Sequence, residues 1–223
     1  ELVNRFGSLI KRWTYAPELD TDNEFLRFLT KNAITASMGH SAAAYDTVLS
    51  AFEEGCRLVT HLYSCTSTVT RHGGFRKLGI IESSFLLKDM FVEAIGDGCH
   101  LPPELLTMIF QIKGSDHICL ISDAIRFAGK KHCRGSFSSG NVSYLIEDGV
   151  AKLADRSAFA GSIVTADVIL KRVVSAGIDL CSAVNMLTAV PAKIMNLSKY
   201  GKIADGMHAV FTIFDENFEI INI

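Results

Sequence analysis

Short apolar runs alternate with amphipathic helical stretches along the first half of the chain, and this alternation constrains the fold more than any other feature. The runs occupy residues 9–15, 33–38, 57–62, 90–95 and 117–122, and each but the last is followed by a helix-like stretch, at 23–31, 43–54, 79–87 and 103–112. A strand buried on both faces reads as a short continuous apolar run, and a helix is needed to carry the chain back to the next parallel strand. The pattern therefore predicts parallel βα units and an α/β fold. Pro102 and Pro103 stand where the fourth helix can begin. After Asp123 the rhythm changes to a hairpin, Val142–Glu147 and Val150–Leu153, with Asp148-Gly149 at its turn. Helices are expected at 164–175 and Leu180–Leu187, and alternating strands at 209–214 and 218–223. The stretch "GSFSSGN" at 135–141 lacks the Lys-Ser/Thr ending of a phosphate loop and reads as a flexible surface connection.

Composition narrows the function classes. With 223 residues, 48% of them hydrophobic, one globular domain with a sizeable core is expected. The 22 Lys and Arg nearly balance the 24 Asp and Glu, and no basic block provides a nucleic-acid footprint, so a small-molecule partner is expected. No apolar run approaches the roughly 18 residues of a membrane span and no secretory leader is visible, which predicts a soluble, cytoplasmic protein. Six cysteines occur without any C-x-x-C pair, which argues against a zinc ribbon or a disulfide frame and reads as buried core thiols, with Cys65 and Cys99 the two of interest.

Four polar residues interrupt the pattern where successive strands end: His40, His61, His100 and Asp123. In a parallel barrel those ends face one mouth, where the βα loops build the active site. Singly, a histidine at a strand end serves as well as a hydrogen-bonded structural residue, and the Asp of "SDA" as a loop cap. Together they are the equipment of metal-assisted hydrolysis, because two neutral imidazoles hold a divalent ion and a carboxylate takes the proton of the attacking water.

The stretches "YAPELD", "GHSAAAY", "THLYSCTS", "GFRKLG", "DGCHLPPELL", "LISDAIRFAG", "EDGVAKL", "FAGSIVTAD", "AVPAKIM" and "GKIADGMHAVFTIFD" follow one another in an order that resembles the N-acetylglucosamine-6-phosphate deacetylases of the amidohydrolase superfamily. The resemblance implies a metal-dependent (β/α)8 TIM barrel, here incomplete and comprising about strands 4–8. Residues 1–205 would be the partial catalytic barrel, and 206–223 strands of a small β domain. It implies that His40 and His61 ligate a divalent ion (Zn, Fe, Mn or Co), that Asp123 is the catalytic acid/base, and that His100 contacts a sugar phosphate. Phe159 and Ala160 would wall the acetyl pocket, and Arg71, His72 and Arg76 lie where the family places a basic phosphate contact, in some members across a homodimer. A solvated charged loop is the alternative for that last group.

The chain departs from the family pattern in three places. The resemblance places a third metal ligand, the glutamate of an H-x-E-G-P motif, upstream of Glu1. At "HLYSCTS" the family usually reads H-L-[FY]-N-A-M, so Ser64 replaces an Asn that binds substrate, with Cys65 supplying the following backbone. At "GMHAVF" the family shows Ala-Asp, and His208 is read as structural. The implied activity is removal of the acetyl group from N-acetylglucosamine 6-phosphate. The alternatives are a non-catalytic sugar-phosphate-binding paralogue and an amidohydrolase for another small amide.

Overall fold

The computed structural model describes residues 1–130, 133–140 and 142–222. A short helix α1 (Leu2–Phe6) leads into β1 (Arg12–Tyr15), α2 (Glu24–Lys31), β2 (Thr35–Met38), α3 (Tyr45–Glu53) and β3 (Leu58–Val59). A hairpin of β4 (Thr70–His72) and β5 (Phe75–Lys77) precedes α4 (Ile80–Leu86), and β6 (Phe91–Ile95), α5 (Pro103–Lys113) and β7 (Ile118–Ile121) complete the alternation. The strands β1, β2, β3, β6 and β7 form one sheet in that order, every neighbouring pair parallel. This is the α/β arrangement the apolar runs predict, and β1 and β7 remain its two edges.

Local chemistry explains the helix starts. Asp20 receives the main-chain N–H groups of Phe25 and Leu26 at 2.8 and 2.9 Å, satisfying donors that the first turn of α2 leaves without partners. Pro103 opens α5 with its fixed φ, and Gly114, at φ +68°, ends it. Leu26 and Leu29 of α2, Val48 of α3 and Ile109 of α5 are fully buried in one core with Met38, Val92 and Ile118 of the sheet.

Beyond β7 lie β8 (Gly135–Ser139), β9 (Val142–Glu147), β10 (Val150–Leu153) and β11 (Phe159–Ser162), an antiparallel sheet in the order β11-β10-β9-β8. The predicted hairpin is β9 and β10. The "GSFSSGN" expectation is corrected: Gly135 to Ser139 pair in continuous register with Ile146 to Val142, and Phe137 packs on Phe127 and Tyr144. A small second core of Tyr144, Ile146 and Ala151 supplies the burial that the glycine and serines do not signal. Asn141 lies outside the described residues.

Helices α6 (Ala166–Ser175), α7 (Leu180–Leu187) and α8 (Ala189–Ile194) then pack beside β7. The last strands are shorter than expected: among the described residues β12 (Ile213–Phe214) pairs only with β13 (Ile220–Asn222), and Ile223 lies outside them. The cysteine expectation holds for Cys56 and Cys119, which are buried. It fails for Cys65 and Cys181, which are exposed, while Cys99 and Cys133 are half-buried; all six are free thiols.

Candidate functional site

A cavity of about 690 Å³ opens between the sheet and helices α6 to α8, and His40, His61 and Asp123 all line it. Each of these residues follows the end of a parallel strand, and each has a positive φ: +50°, +30° and +49°. Non-glycine residues rarely adopt that region, and where several do so together the surrounding structure must hold them there. The turn at each strand end swings the side chain out of the sheet ladder toward the cavity. That is why β3 is only two residues long, although its apolar run continues to Leu62.

The Nε2 atoms of His40 and His61 stand 3.0 Å apart, with the rings edge to face at 72°. His61 is buried, and its Nδ1 has no hydrogen-bond partner among the described residues. Burial is the largest influence on this ring and pushes its pKa below the ordinary histidine value, against the pull of the Asp123 charge. A neutral ring presents a lone pair. Two imidazole nitrogens converging on one point are two of the donors a divalent cation takes, although no group of three His, Cys, Asp or Glu side chains placed to hold one occurs among the described residues.

Glycines make room for this geometry. A Cβ at Gly39 would lie 2.7 Å from Cβ of Thr60, and one at Gly161, where φ is +102°, would lie 3.0 Å from the carbonyl oxygen of Asp123. The close approach at Gly161 lets β11 pair with the Asp123 segment, since Ser162 N–H donates to the Asp123 carbonyl at 2.9 Å and Ile125 N–H to the Ser162 carbonyl at 2.9 Å.

The other expected site residues fall into three groups. His100 packs on Phe159, ring centroids 4.7 Å apart, and its Nδ1 lies 2.7 Å from Oδ2 of the fully buried Asp97. A carboxylate only accepts, so Nδ1 carries the proton of this bond and the ring is fixed by it. Burial pushes the Asp97 carboxyl up, but hydrogen bonds from the His100 ring and from the N–H groups of His100 and Cys99 outweigh it and hold the pKa below the ordinary value. Ser64 and Cys65 form the turn after His61: Ser64 N–H donates to the His61 carbonyl at 2.9 Å, and the Cys65 carbonyl receives Ser41 N–H at 3.0 Å, tying this turn to the one that carries His40. Arg71 and His72 sit on the exposed β4–β5 hairpin, and Ala160 packs against the second core.

Sequence reasoning missed Asp97, Glu18, Arg12 and Glu93. Glu18, in "YAPELD", receives Ser41 Oγ at 2.5 Å and Ala42 N–H at 2.6 Å, so it braces the loop that follows His40. Glu93 is the one charge inside β6, and Arg12 opens β1 directly after Lys11, a signal that becomes readable only once the strand order is known.

Comparison with known proteins agrees with this architecture. The amidohydrolase family model matches residues 21–222. An N-acetylgalactosamine-6-phosphate deacetylase of Shewanella sp. (strain ANA-3) is 29% identical over 93% of this chain and 51% of its own length. An N-acetylglucosamine-6-phosphate deacetylase of Bacillus subtilis (strain 168) is 35% identical over 70% of this chain and 38% of its own. The crystal structure of N-acetylglucosamine-6-phosphate deacetylase from Thermotoga maritima superposes with a TM-score of 0.86 at 28% identity, covering 96% of this chain and 57% of that one. The chain thus spans about half the length of the relatives it matches. With the family model matching most of its residues and His40, His61 and Asp123 lining one cavity, the chain belongs to the amidohydrolase family.

Proposed function

We propose that the protein is a metal-dependent deacetylase of N-acetylglucosamine 6-phosphate, yielding glucosamine 6-phosphate and acetate. The observation that carries this reading is the meeting of His40 and His61 at 3.0 Å in a cavity that Asp123 also lines. The names of the relatives support the substrate class. In this reading the five parallel strands are about the fourth to eighth of a (β/α)8 barrel. Residues 1–205 then belong to the catalytic domain and 206–223 to a small β domain.

His40 and His61 would hold the ion, with the third ligand a glutamate from the upstream segment that the family resemblance implies. Bound there, a divalent ion (Zn, Fe, Mn or Co) supplies Lewis acidity for the amide carbonyl and lowers the pKa of water. Asp123 takes a proton from the attacking water and delivers it to the departing amine nitrogen as the C–N bond breaks, serving first as general base and then as general acid. His100, its ring fixed by Asp97, makes a hydrogen bond to a sugar hydroxyl through Nε2. Phe159 and Ala160 flank the acetyl group, and Ser64 and the Cys65 main chain contact the sugar. Arg71 and His72 on the exposed hairpin reach the phosphate, in a homodimer that of the neighbouring subunit.

The test is release of free amine by the full-length protein supplied with Zn, Fe, Mn or Co. The N-acetylgalactosamine epimer is assayed beside the N-acetylglucosamine one, because a relative carries that name. Turnover of either 6-phosphate supports the hydrolase, and the ratio of the two kcat/KM values assigns the sugar. Binding of both without turnover under every metal would overturn it in favour of a non-catalytic sugar-phosphate-binding protein, and turnover only of unrelated amides would reassign the substrate.

A further inference from the structure

Glu93 sits in the middle of β6, 3% exposed, and Arg12 reaches it from β1, three strands away in the sheet. The pair is bidentate: Arg12 Nη1 lies 2.7 Å from Oε1 and Nη2 donates to Oε2 at 2.9 Å. Stability alone does not account for it, since a buried ion pair recovers little more than its desolvation cost and apolar residues of like size serve a parallel sheet at least as well.

The contacts of the pair converge on three consecutive residues. Arg12 Nη2 donates to Thr60 Oγ1 at 2.8 Å, while Glu93 Oε2 accepts His61 N–H at 3.3 Å and the Glu93 main-chain carbonyl accepts Leu62 N–H at 2.8 Å. Thr60 is held in turn by Ser37 Oγ at 2.6 Å and Thr14 Oγ1 at 3.0 Å, so four adjacent strands contribute. These are the residues around the peptide units that set His61 at φ +30°. We infer that Arg12 and Glu93 are positioning residues for the metal centre: the pair clamps residues 60 to 62 from below and thereby aims His61 Nε2 at His40 Nε2. The inference rests on the metal-binding reading of those histidines. Partners that orient a ligand typically contribute ten- to a hundredfold in metal affinity.

The experiment titrates Co²⁺ into the full-length protein against a competing chelator, reading both the affinity and the visible ligand-field spectrum, with a thermal melt of each variant. The double substitution Arg12→Met/Glu93→Leu removes both charges and leaves no buried charge unpaired. It is expected to keep the apo-protein melting midpoint while Co²⁺ affinity falls by about tenfold or more and the spectrum changes. A double variant that folds and binds Co²⁺ like the wild type would overturn the inference and leave the metal reading intact. Wild-type protein that binds no Co²⁺ would overturn the metal reading itself, and the inference with it. If the double variant fails to fold, Glu93→Gln decides by the same titration. Glu93 Oε2 accepts from both Arg12 Nη2 and His61 N–H while Oε1 faces Nη1, so the donor-only NH2 of a Gln must oppose one of these donors in either orientation; the bidentate clamp is broken, weakened binding is expected, and unchanged binding overturns the clamp.

Discussion

The carboxylate of Asp97 grips His100 twice, at the ring Nδ1 at 2.7 Å and at the main-chain N–H at 2.9 Å. A third bond, from Cys99 N–H at 2.9 Å, closes the turn, so the acid is fully satisfied although no part of it reaches solvent. The arrangement couples a structural turn to the orientation of one ring, and it gives the "DGCH" spacing a physical reason: the side chain at the first position reaches the amides two and three residues later.

Asp97→Asn tests this coupling through pH. The folded carboxyl is held below its ordinary pKa, so between the two values the unfolded chain binds more protons than the native one. The contribution is therefore complete above about pH 4 and is lost as the pH falls through the lower, folded value. Urea unfolding should show the Asn variant less stable by about 1.5–3 kcal/mol at pH 7, the usual worth of hydrogen bonds to a charged group, with the gap narrowing below about pH 4. A gap that stayed constant to the acid limit would show that the charge of Asp97 is not what matters.

Asp123→Asn in the full-length protein should keep Co²⁺ and sugar-phosphate binding but lower kcat by at least about a hundredfold, in line with the size of acid–base contributions. The substitution is conformationally mild, because Asn tolerates the left-handed backbone found here at φ +49° as well as Asp does. Near-normal kcat would reassign Asp123 as a structural residue at the β7 exit.

Lys113 is the strongest structural test outside the site. Its ammonium group is buried at the end of α5 and donates to the carbonyls of Ser84, Leu87 and Lys88, each at 3.0 Å, capping the C-terminus of α4. Burial pushes its pKa down to about 8, so it still carries its proton at neutral pH. Lys113→Met leaves these carbonyls without their donor, and on the order of 1–3 kcal/mol should be lost at pH 7. The check is a lower urea midpoint at unchanged slope, and an unchanged midpoint would show that water replaces the cap at no cost.

The parts of the molecule legible in the sequence are those whose signal is local. Apolar runs marked the parallel strands, helix ends agreed to within one or two residues, and His40, His61 and Asp123 stood out as polar breaks at strand ends. What was not legible depends on partners distant in sequence. Gly135 to Ser139 form a strand only because β9 and the aromatic cluster are there to pair with them. Helix α8 carries Pro191 in its first turn, where the lost N–H costs nothing, although a proline there reads as a breaker. Glu93 and Arg12 are separated by 81 positions and mean little until four strands bring them together.

Ser64 separates the catalytic reading from the non-catalytic one. Its main chain is fixed by the bond from its N–H to the His61 carbonyl at 2.9 Å, between Tyr63 and Cys65, which both have positive φ. A side-chain change there should leave the turn in place and act only on what the side chain reaches. The family resemblance sets an Asn at this position, with an amide that holds the substrate. If the protein is a deacetylase that compensates through water or the Cys65 main chain, Ser64→Asn should change KM for N-acetylglucosamine 6-phosphate by no more than the worth of one hydrogen bond, about 0.5–1.5 kcal/mol, with kcat little altered. If Ser64 marks lost function, the wild-type protein releases no amine under any of the four metals while still binding the sugar phosphate. The two measurements are made on the same preparation, so a protein that binds the ligand, holds its metal and yet never turns over would leave the non-catalytic reading standing.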